Sequence, residues 1–339
     1  MDRIPDADFH KANINDVIAA AENLTPGQQK QLNFLLKRCE DRFDGQLGKW
    51  NGPPINFELK EGAKPYHAKP FPIPKSLEEA TRKECERLCK IGVLRKINRS
   101  EWAAPTFIRP KKNKRVRFLS DFRELNKRIK RKPCPLPKIQ DLLQKLEGFE
   151  HATSLDLNMG HYHIHLTPEA SRLCTTVMPW GKYEYVRLPM GVCNSPDIFQ
   201  EHMSELMAGL KFVRVHIDDL LIITKSDFKD HLKKLEQVFL RVQQANLRIN
   251  AEKTFFAKSK AEYLGFKINR KGIMPLAKKV EAIKAIQPPR TRKELCRFVG
   301  IVNYYRDMWP RCSHILAPLT ALMGAKKFTW ESKHQQAYK

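Results

Sequence analysis

The stretch VRVHIDDLLIIT, Val213 to Thr224, sets two adjacent carboxylates inside an otherwise apolar run. Val213, Val215 and Ile217 alternate, Asp218 and Asp219 occupy the turn, and Leu220 to Ile223 return, a pattern that predicts a β-hairpin. Aspartate tolerates unusual backbone angles and bonds its own turn, so an acid pair at a hairpin tip needs no chemistry to explain it. A further acid changes the argument. Asp156 in HATSLDLNMG closes a short strand-like stretch shortly before Gly160. Carboxylates gathered on neighbouring strands repel one another and lose hydration unless a cation neutralises them.

Oxygen ligands without a thiolate or imidazole cluster point to a hard ion whose shell is completed by substrate phosphates. Composition supplies the matching partner. Lysine and arginine number 62 against 37 acids, a net charge of +25, so a polyanion is the first partner to consider. Two hard ions can activate a hydroxyl and steady a leaving oxygen at phosphorus, which is polymerase or nuclease chemistry.

The charge is clustered. Arg109 to Lys132 holds twelve basic residues and two acids, Asp121 and Glu124, interleaved with Val116, Phe118, Phe122 and Leu125. Apolar interleaving predicts a folded surface that meets phosphates. A solvated face, or an import signal in KRIKRK at 127–132, are the plainer alternatives.

The 339 residues are about two domains' worth, and 42% hydrophobic residues support a packed core. Thr25-Pro26 predicts a helix start, with Leu32, Leu35, Leu36, Cys39 and Phe43 at helical spacing. Prolines 53, 54, 65, 70, 72 and 74 make an extended arm before a charged amphipathic helix over Leu77–Gly92. Val93 to Phe122 alternates in strand fashion and predicts a basic, finger-like hairpin. No apolar run reaches the roughly 18 residues of a membrane span, and the N-terminus lacks an apolar signal core, so secretion and a membrane partner are not expected. The eight cysteines form no CxxC pair and read as reduced structural thiols. His161, His163 and His165 alternate, so a strand would show all three on one face.

The order of motifs closely resembles the reverse transcriptases of gypsy-type long-terminal-repeat retrotransposons. It is carried by SEWAAPTFIRPKKNKRVRFLSDFRELNK, KPCPLPKI, TSLDLNMGHYHIHL, YEYVRLPMGVCNSPDIFQ, HIDDLLI, LRINAEKTFFAKSKAEYLGF and RKELCRFVGIVNYYRDMWPRCSHILAPLTALM, in family order over nearly the whole chain. The resemblance implies an α+β right-hand polymerase fold, with fingers, a palm built on an antiparallel sheet, and a helical thumb. It divides the chain into an N-terminal helical extension over 1–50, fingers and palm over 51–273, thumb and connection over 274–325, and the opening strand of a ribonuclease H domain over 326–339.

By position in the motifs, Asp156, Asp218 and Asp219 with the carbonyl of Leu157 would hold two Mg2+ ions, with Mn2+ as the alternative, and Lys253 would give a proton to pyrophosphate. Arg117 with Lys111 or Lys112 would grip the triphosphate; His161, Met190 and Gly191 would line the nucleotide pocket. His216, Tyr263, Leu264 and Gly265 would hold the primer, and Lys127, Arg128, Lys130, Arg131 and Lys132 the template. His161 and His216 stand where the family usually has tyrosine, and Met190 where phenylalanine is usual. The function implied is an RNA-directed DNA polymerase extending a primer on RNA or DNA from dNTPs. The alternative is a catalytically decayed copy that only binds nucleic acid. The resemblance further implies a Pol polyprotein with ribonuclease H, integrase and protease partners, a role leading to DNA integration, and a cytoplasmic location in virus-like particles, with the nucleus as the alternative.

Overall fold

The structure is a computed structural model that describes residues 11, 13–110, 116–143, 146, 148–325 and 327–338. Met1–Leu142 with Glu150–Lys258 form one compact unit, and Leu143–Phe149 with Ser259–Lys339 form another.

In the first unit the chain begins with helices Ile14–Ala19 and Pro26–Arg38. Thr25 caps the second of these in a reciprocal box with Gln28, and Pro26 needs no amide partner in the first turn. The helix stops at Arg38, and Phe43, placed on it by spacing, belongs to a separate 3-10 turn, Glu40–Phe43. Phe43 still reaches the core, edge-on to Phe239 at 6.1 Å. The proline-rich arm carries no helix until Lys75–Lys90, as the fixed proline φ requires.

Strands β1 (Leu94–Ile97), β2 (Ala104–Pro110) and β3 (Val116–Ser120) come next, followed by β4 (His151–Leu157), β5 (Thr175–Met178) and β6 (Gly181–Tyr185). The remaining strands of this unit are β7 (Val213–His216), β8 (Asp219–Thr224) and β9 (Ile249–Lys258). One sheet has the order β1-β6-β5-β2-β3, with β2 and β3 forming the basic finger hairpin. The other, β7-β8-β4-β9, is antiparallel throughout and is the palm. Leu220 to Ile223 of β8 are all buried because this strand is central, which explains their unbroken apolar run.

Helix Phe228–Gln244 buries Phe228, Leu235, Val238, Phe239 and Val242 at helical spacing. Fully burying each such side chain contributes roughly 1.5–3 kcal/mol. His231 lies on the same buried face, where its two ring nitrogens meet Thr153 of β4 at 2.8 Å and Thr224 of β8 at 2.9 Å. Burial holds its pKa down at about 3, so the helix is pinned to the sheet by a neutral imidazole.

The second unit contains β10 (Lys260–Tyr263), β11 (Phe266–Asn269) and β12 (Gly272–Pro275) in one antiparallel sheet. Helices Ala277–Lys284, Arg292–Asn303 and Cys312–Gly324 follow. Where the sequence suggested an opening strand, Ser332–Tyr338 is a helix. Its Tyr338 ring packs on Phe298 at 4.9 Å, and Trp330 Nε1 donates to Gln335 Oε1 at 2.9 Å.

Candidate active site

Antiparallel pairing sets Asp219 of β8 opposite Asp156 of β4 on one side and opposite His216 of β7 on the other. The connection between β7 and β8 is therefore Ile217–Asp218, one residue earlier than the acid pair suggested, and Asp219 starts the return strand. Ile217 has φ 51, left-handed as the first central residue of a type II′ hairpin turn is. A β-branched side chain resists that region, at a cost of about 1–3 kcal/mol. The Leu157 amide donates to the Asp218 carbonyl at 3.2 Å and ties the end of β4 to the turn. Two strand ends and one tight turn thus bring Asp156, Asp218 and Asp219 to one end of the palm sheet.

Burial raises the pKa of Asp156; Lys253 pulls it back, Asp218 pushes it further, and it stands at about 6. Burial, then Asp156, then Asp218 raise Asp219 to about 7 against Lys253. Lys253 reaches the site because β9 leaves register: Asn250 pairs with Asp156 and Phe255 with Ser154, so residues 251–254 bulge. Bulges re-aim side chains, and here the Lys253 ammonium lies 3.5 Å from Asp156 Oδ1. Thr254 fastens the bulge by accepting from the Asp156 amide at 3.4 Å and donating to the Asn250 carbonyl at 2.7 Å.

β4 ends at Leu157, and Met159 at φ 54 turns the chain into a 3-10 helix, Gly160–His163. The three alternating histidines consequently do not share a strand face. His161 stacks on Phe199 at 4.8 Å and holds Nδ1 3.5 Å from Asp218 Oδ1. His163 is buried, and burial drives its pKa down to about 3. Tyr162 turns the other way and stacks on Tyr185 at 6.3 Å. Burial also lowers the pKa of His216, so this imidazole is neutral at pH 7.

Met190 is half exposed, and Gly191 has φ 97, a conformation that favours glycine. Asn126 holds this loop by donating to the Gly191 carbonyl at 2.9 Å and accepting from the Cys193 amide at 2.8 Å. Arg117 lies half-buried on β3 opposite Arg109, with no acid paired to it among the described residues. Lys111 and Lys112 lie outside the described residues.

Two residues that sequence reasoning passed over organise the loop after Asp156. Asn158 donates to the carbonyls of Gly45 at 3.1 Å and Gln46 at 2.9 Å. Arg187, buried, donates to the carbonyls of Gly48 at 2.9 Å and Tyr162 at 3.0 Å. Residues 45–48 thus run as a strap beside the loop that carries His161. Arginine before LPMG was the only signal, and nothing local distinguishes it from a surface base.

The proposed template cluster is less free than its composition suggests. Lys127 and Arg128 pair with Glu124, Lys130 and Lys132 with Glu58, and Arg131 with Asp197 at 3.7 Å. Arg128 also donates to the Lys64 carbonyl at 2.9 Å and lies over the Tyr66 ring, which marks it as part of the scaffold. The other four side chains are more than half exposed.

In the second unit, Tyr263 pairs with Phe266, and Leu264–Gly265 form the two-residue turn between β10 and β11. Both turn residues have positive φ, 48 and 81, the type I′ signature. Tyr263 is buried beneath it.

The donor set suits a hard divalent cation. Among the described residues Asp218 Oδ1 is buried without a hydrogen-bond partner, and it lies against Gly160, where a Cβ would come within 2.3 Å of it. Among the described residues no three His, Cys, Asp or Glu side chains converge as a preformed metal centre. An ion held by carboxylates together with substrate phosphates does not require one.

A fingers sheet beside an antiparallel palm that carries three carboxylates defines the right-hand polymerase fold. Residues 109–268 match the family described as reverse transcriptase (RNA-dependent DNA polymerase). Over most of its length the chain is similar to Pol polyproteins of transposons. It is 32% identical over 319 residues to the retrovirus-related Pol polyprotein from transposon opus of Drosophila melanogaster, covering 91% of this chain and 31% of that protein. It is 31% identical over 270 residues to the transposon Tf2-3 polyprotein of Schizosaccharomyces pombe, covering 79% and 20%. The chain therefore spans a third or less of these relatives. A foamy viral protease-reverse transcriptase solved in complex with double-stranded DNA superposes with TM-score 0.84 at 24% identity, covering 100% of this chain and 61% of that one. That likeness supports the fold.

Proposed function

We propose that this chain extends a primer on an RNA or DNA template from dNTPs by nucleotidyl transfer at two divalent ions, Mg2+ or Mn2+. The observation that carries the reading is the cross-strand register of Asp156 with Asp219, with Asp218 one residue away on the turn. Asp156, Asp218, Asp219 and the Leu157 carbonyl would hold the ions, which lower the pKa of an attacking hydroxyl and steady the leaving oxygen.

The chain's own residues do the rest. Lys253 keeps an ammonium at the carboxylates and is placed to protonate departing pyrophosphate. Arg117, with Lys111 or Lys112, binds the triphosphate. His161 on its Phe199 platform, with Met190 and Gly191, bounds the sugar and base. His216 contacts the primer end, the exposed lysines of 127–132 meet the template backbone, and in the second unit the Tyr263–Gly265 turn is a primer-binding element of its own. The Pol polyprotein relatives support other Pol domains as companions of this chain; that these are ribonuclease H, integrase and protease, and that the whole assembles in cytoplasmic virus-like particles, is part of the proposal.

Primer extension on a poly-ribonucleotide template tests the proposal. Asp218→Asn should abolish extension while leaving primer-template binding intact, because a metal ligand is lost and the phosphate-binding surface remains. Near wild-type extension by that variant would refute the metal assignment. Template binding without any extension by the wild-type chain would favour a decayed copy.

A further inference from the structure

We propose that Gln200 is a positioning residue for the polymerase reaction: its buried carboxamide holds Ile217 in the left-handed conformation and so fixes where Asp218 stands. The inference rests on the polymerase reading and deepens it.

Gln200 lies on helix Ser195–Leu206 and is 2% exposed. Its Oε1 accepts from the Ile217 amide at 2.8 Å. Its Nε2 donates to the Val215 carbonyl at 3.3 Å and to Ser204 Oγ at 2.9 Å, which fixes the orientation of the amide. One side chain therefore bridges β7 to the first turn residue, at a position whose β-branched side chain works against its own φ of 51. A buried carboxamide reaching a strained amide is a device for keeping strain in place, because the conformation would relax without an acceptor at that point.

The carboxylate of Asp218 has little else to place it. Among the described residues its Oδ1 has no hydrogen-bond partner, and His161 Nδ1 stands 3.5 Å away. Its location is consequently inherited from the backbone. That backbone is held at two points, the Ile217 amide by Gln200 and the Asp218 carbonyl by the Leu157 amide. The neighbouring Phe199 supports His161 from the same helix, so a single element sets both sides of the turn.

The test compares Gln200→Met, Gln200→Glu, Ile217→Gly and the Gln200→Met/Ile217→Gly double variant. Melting, primer-template Kd, kcat and KM for dNTP are measured, with Mn2+ affinity followed by electron paramagnetic resonance. Methionine keeps the volume and loses all three hydrogen bonds. It should lower kcat about a hundredfold, as expected for a small misplacement of a reacting group, and weaken Mn2+ about tenfold, with KM and primer-template Kd within about twofold. Glutamate retains an acceptor for the Ile217 amide and should restore kcat to within about tenfold of wild type. Glycine at 217 removes the steric resistance, so the double variant should recover at least about tenfold over Gln200→Met.

Wild-type kcat and Mn2+ affinity in Gln200→Met would overturn the proposal, as would an equal Gln200→Met loss in both backgrounds. A Gln200→Met chain that no longer melts cooperatively would assign the residue to the core instead. If the wild-type chain extends no primer, the polymerase reading itself fails; if it is active and Gln200→Met matches it, only this inference does.

Discussion

Gly160 has no side chain where the Asp218 carboxylate needs room: a Cβ there would come within 2.3 Å of Asp218 Oδ1 and 2.9 Å of the Phe199 ring. The φ of this glycine is not positive, so the requirement is space rather than backbone freedom. Gly160→Ala should displace the carboxylate and cost about a hundredfold in kcat. Primer-template affinity should stay within about twofold, because no phosphate-contacting residue moves. Steady-state extension beside a binding isotherm checks this, and an active alanine variant would show that the turn can shift without penalty.

The raised carboxyl groups predict an unusual stability profile. The native pKa of Asp219, about 7, and of Asp156, about 6, exceed the unfolded value near 4, so the native state binds more protons between those limits. Metal-free stability should accordingly fall as pH rises from about 4 to about 7. Asp219→Asn should raise the Tm of metal-free protein at pH 8 by several degrees, on the order of 2 kcal/mol, while extension is lost. Calorimetry at pH 5 and pH 8 in chelator decides the point, and an Asn variant no more stable at pH 8 than wild type would contradict the burial argument.

Splitting the basic cluster should separate its two roles. Neutralising Lys127, Lys130 and Lys132 should lower the slope of log Kd against log salt by about one for each phosphate that no longer meets a lysine, with little change in Tm. Arg128→Ala should do the reverse, lowering Tm by a few degrees, because it loses the Lys64 carbonyl, Glu124 and the Tyr66 ring together. An unchanged salt slope in the lysine variant would mean that these ions remain with Glu58 and Glu124.

The proposed place of His161 beside the sugar predicts how the chain discriminates sugars. Its ring is smaller than a phenol, so the wild-type chain should incorporate ribonucleotides more readily than His161→Tyr. The neighbouring Tyr162 offers no substitute gate, since it is committed to Tyr185. The ratio of rNTP to dNTP kcat/KM measures the effect, and a ratio that does not fall on substitution would remove His161 from beside the sugar.

Much of the palm was legible because its signals are local: the alternation before Asp218, the apolar run of β8, and the short stretch ending at Asp156. The acid pair was misplaced by one residue because a turn can be centred on either side of it, and cross-strand register decided. Alternation at 161–165 suggested a strand, but Met159 in the left-handed region bends the chain into a 3-10 turn first. Gln200, Asn158 and Arg187 carry no local mark. Their roles exist only once segments distant in sequence are packed together, as with the bulge that delivers Lys253.

The strap at residues 45–48 and the helices before it have a consequence for how this unit is made. Asn23 donates to the Ala257 carbonyl across 234 residues, Arg38 pairs with Glu236 across 198, and Arg248 with Asp44 across 204. On a ribosome the first helices emerge long before the last palm strand that receives them. At about 5–20 residues per second, they wait on the order of ten seconds or more without their docking surface. Docking of these helices is thus a late event of synthesis, and a chain released before β9 leaves them with their apolar faces uncovered.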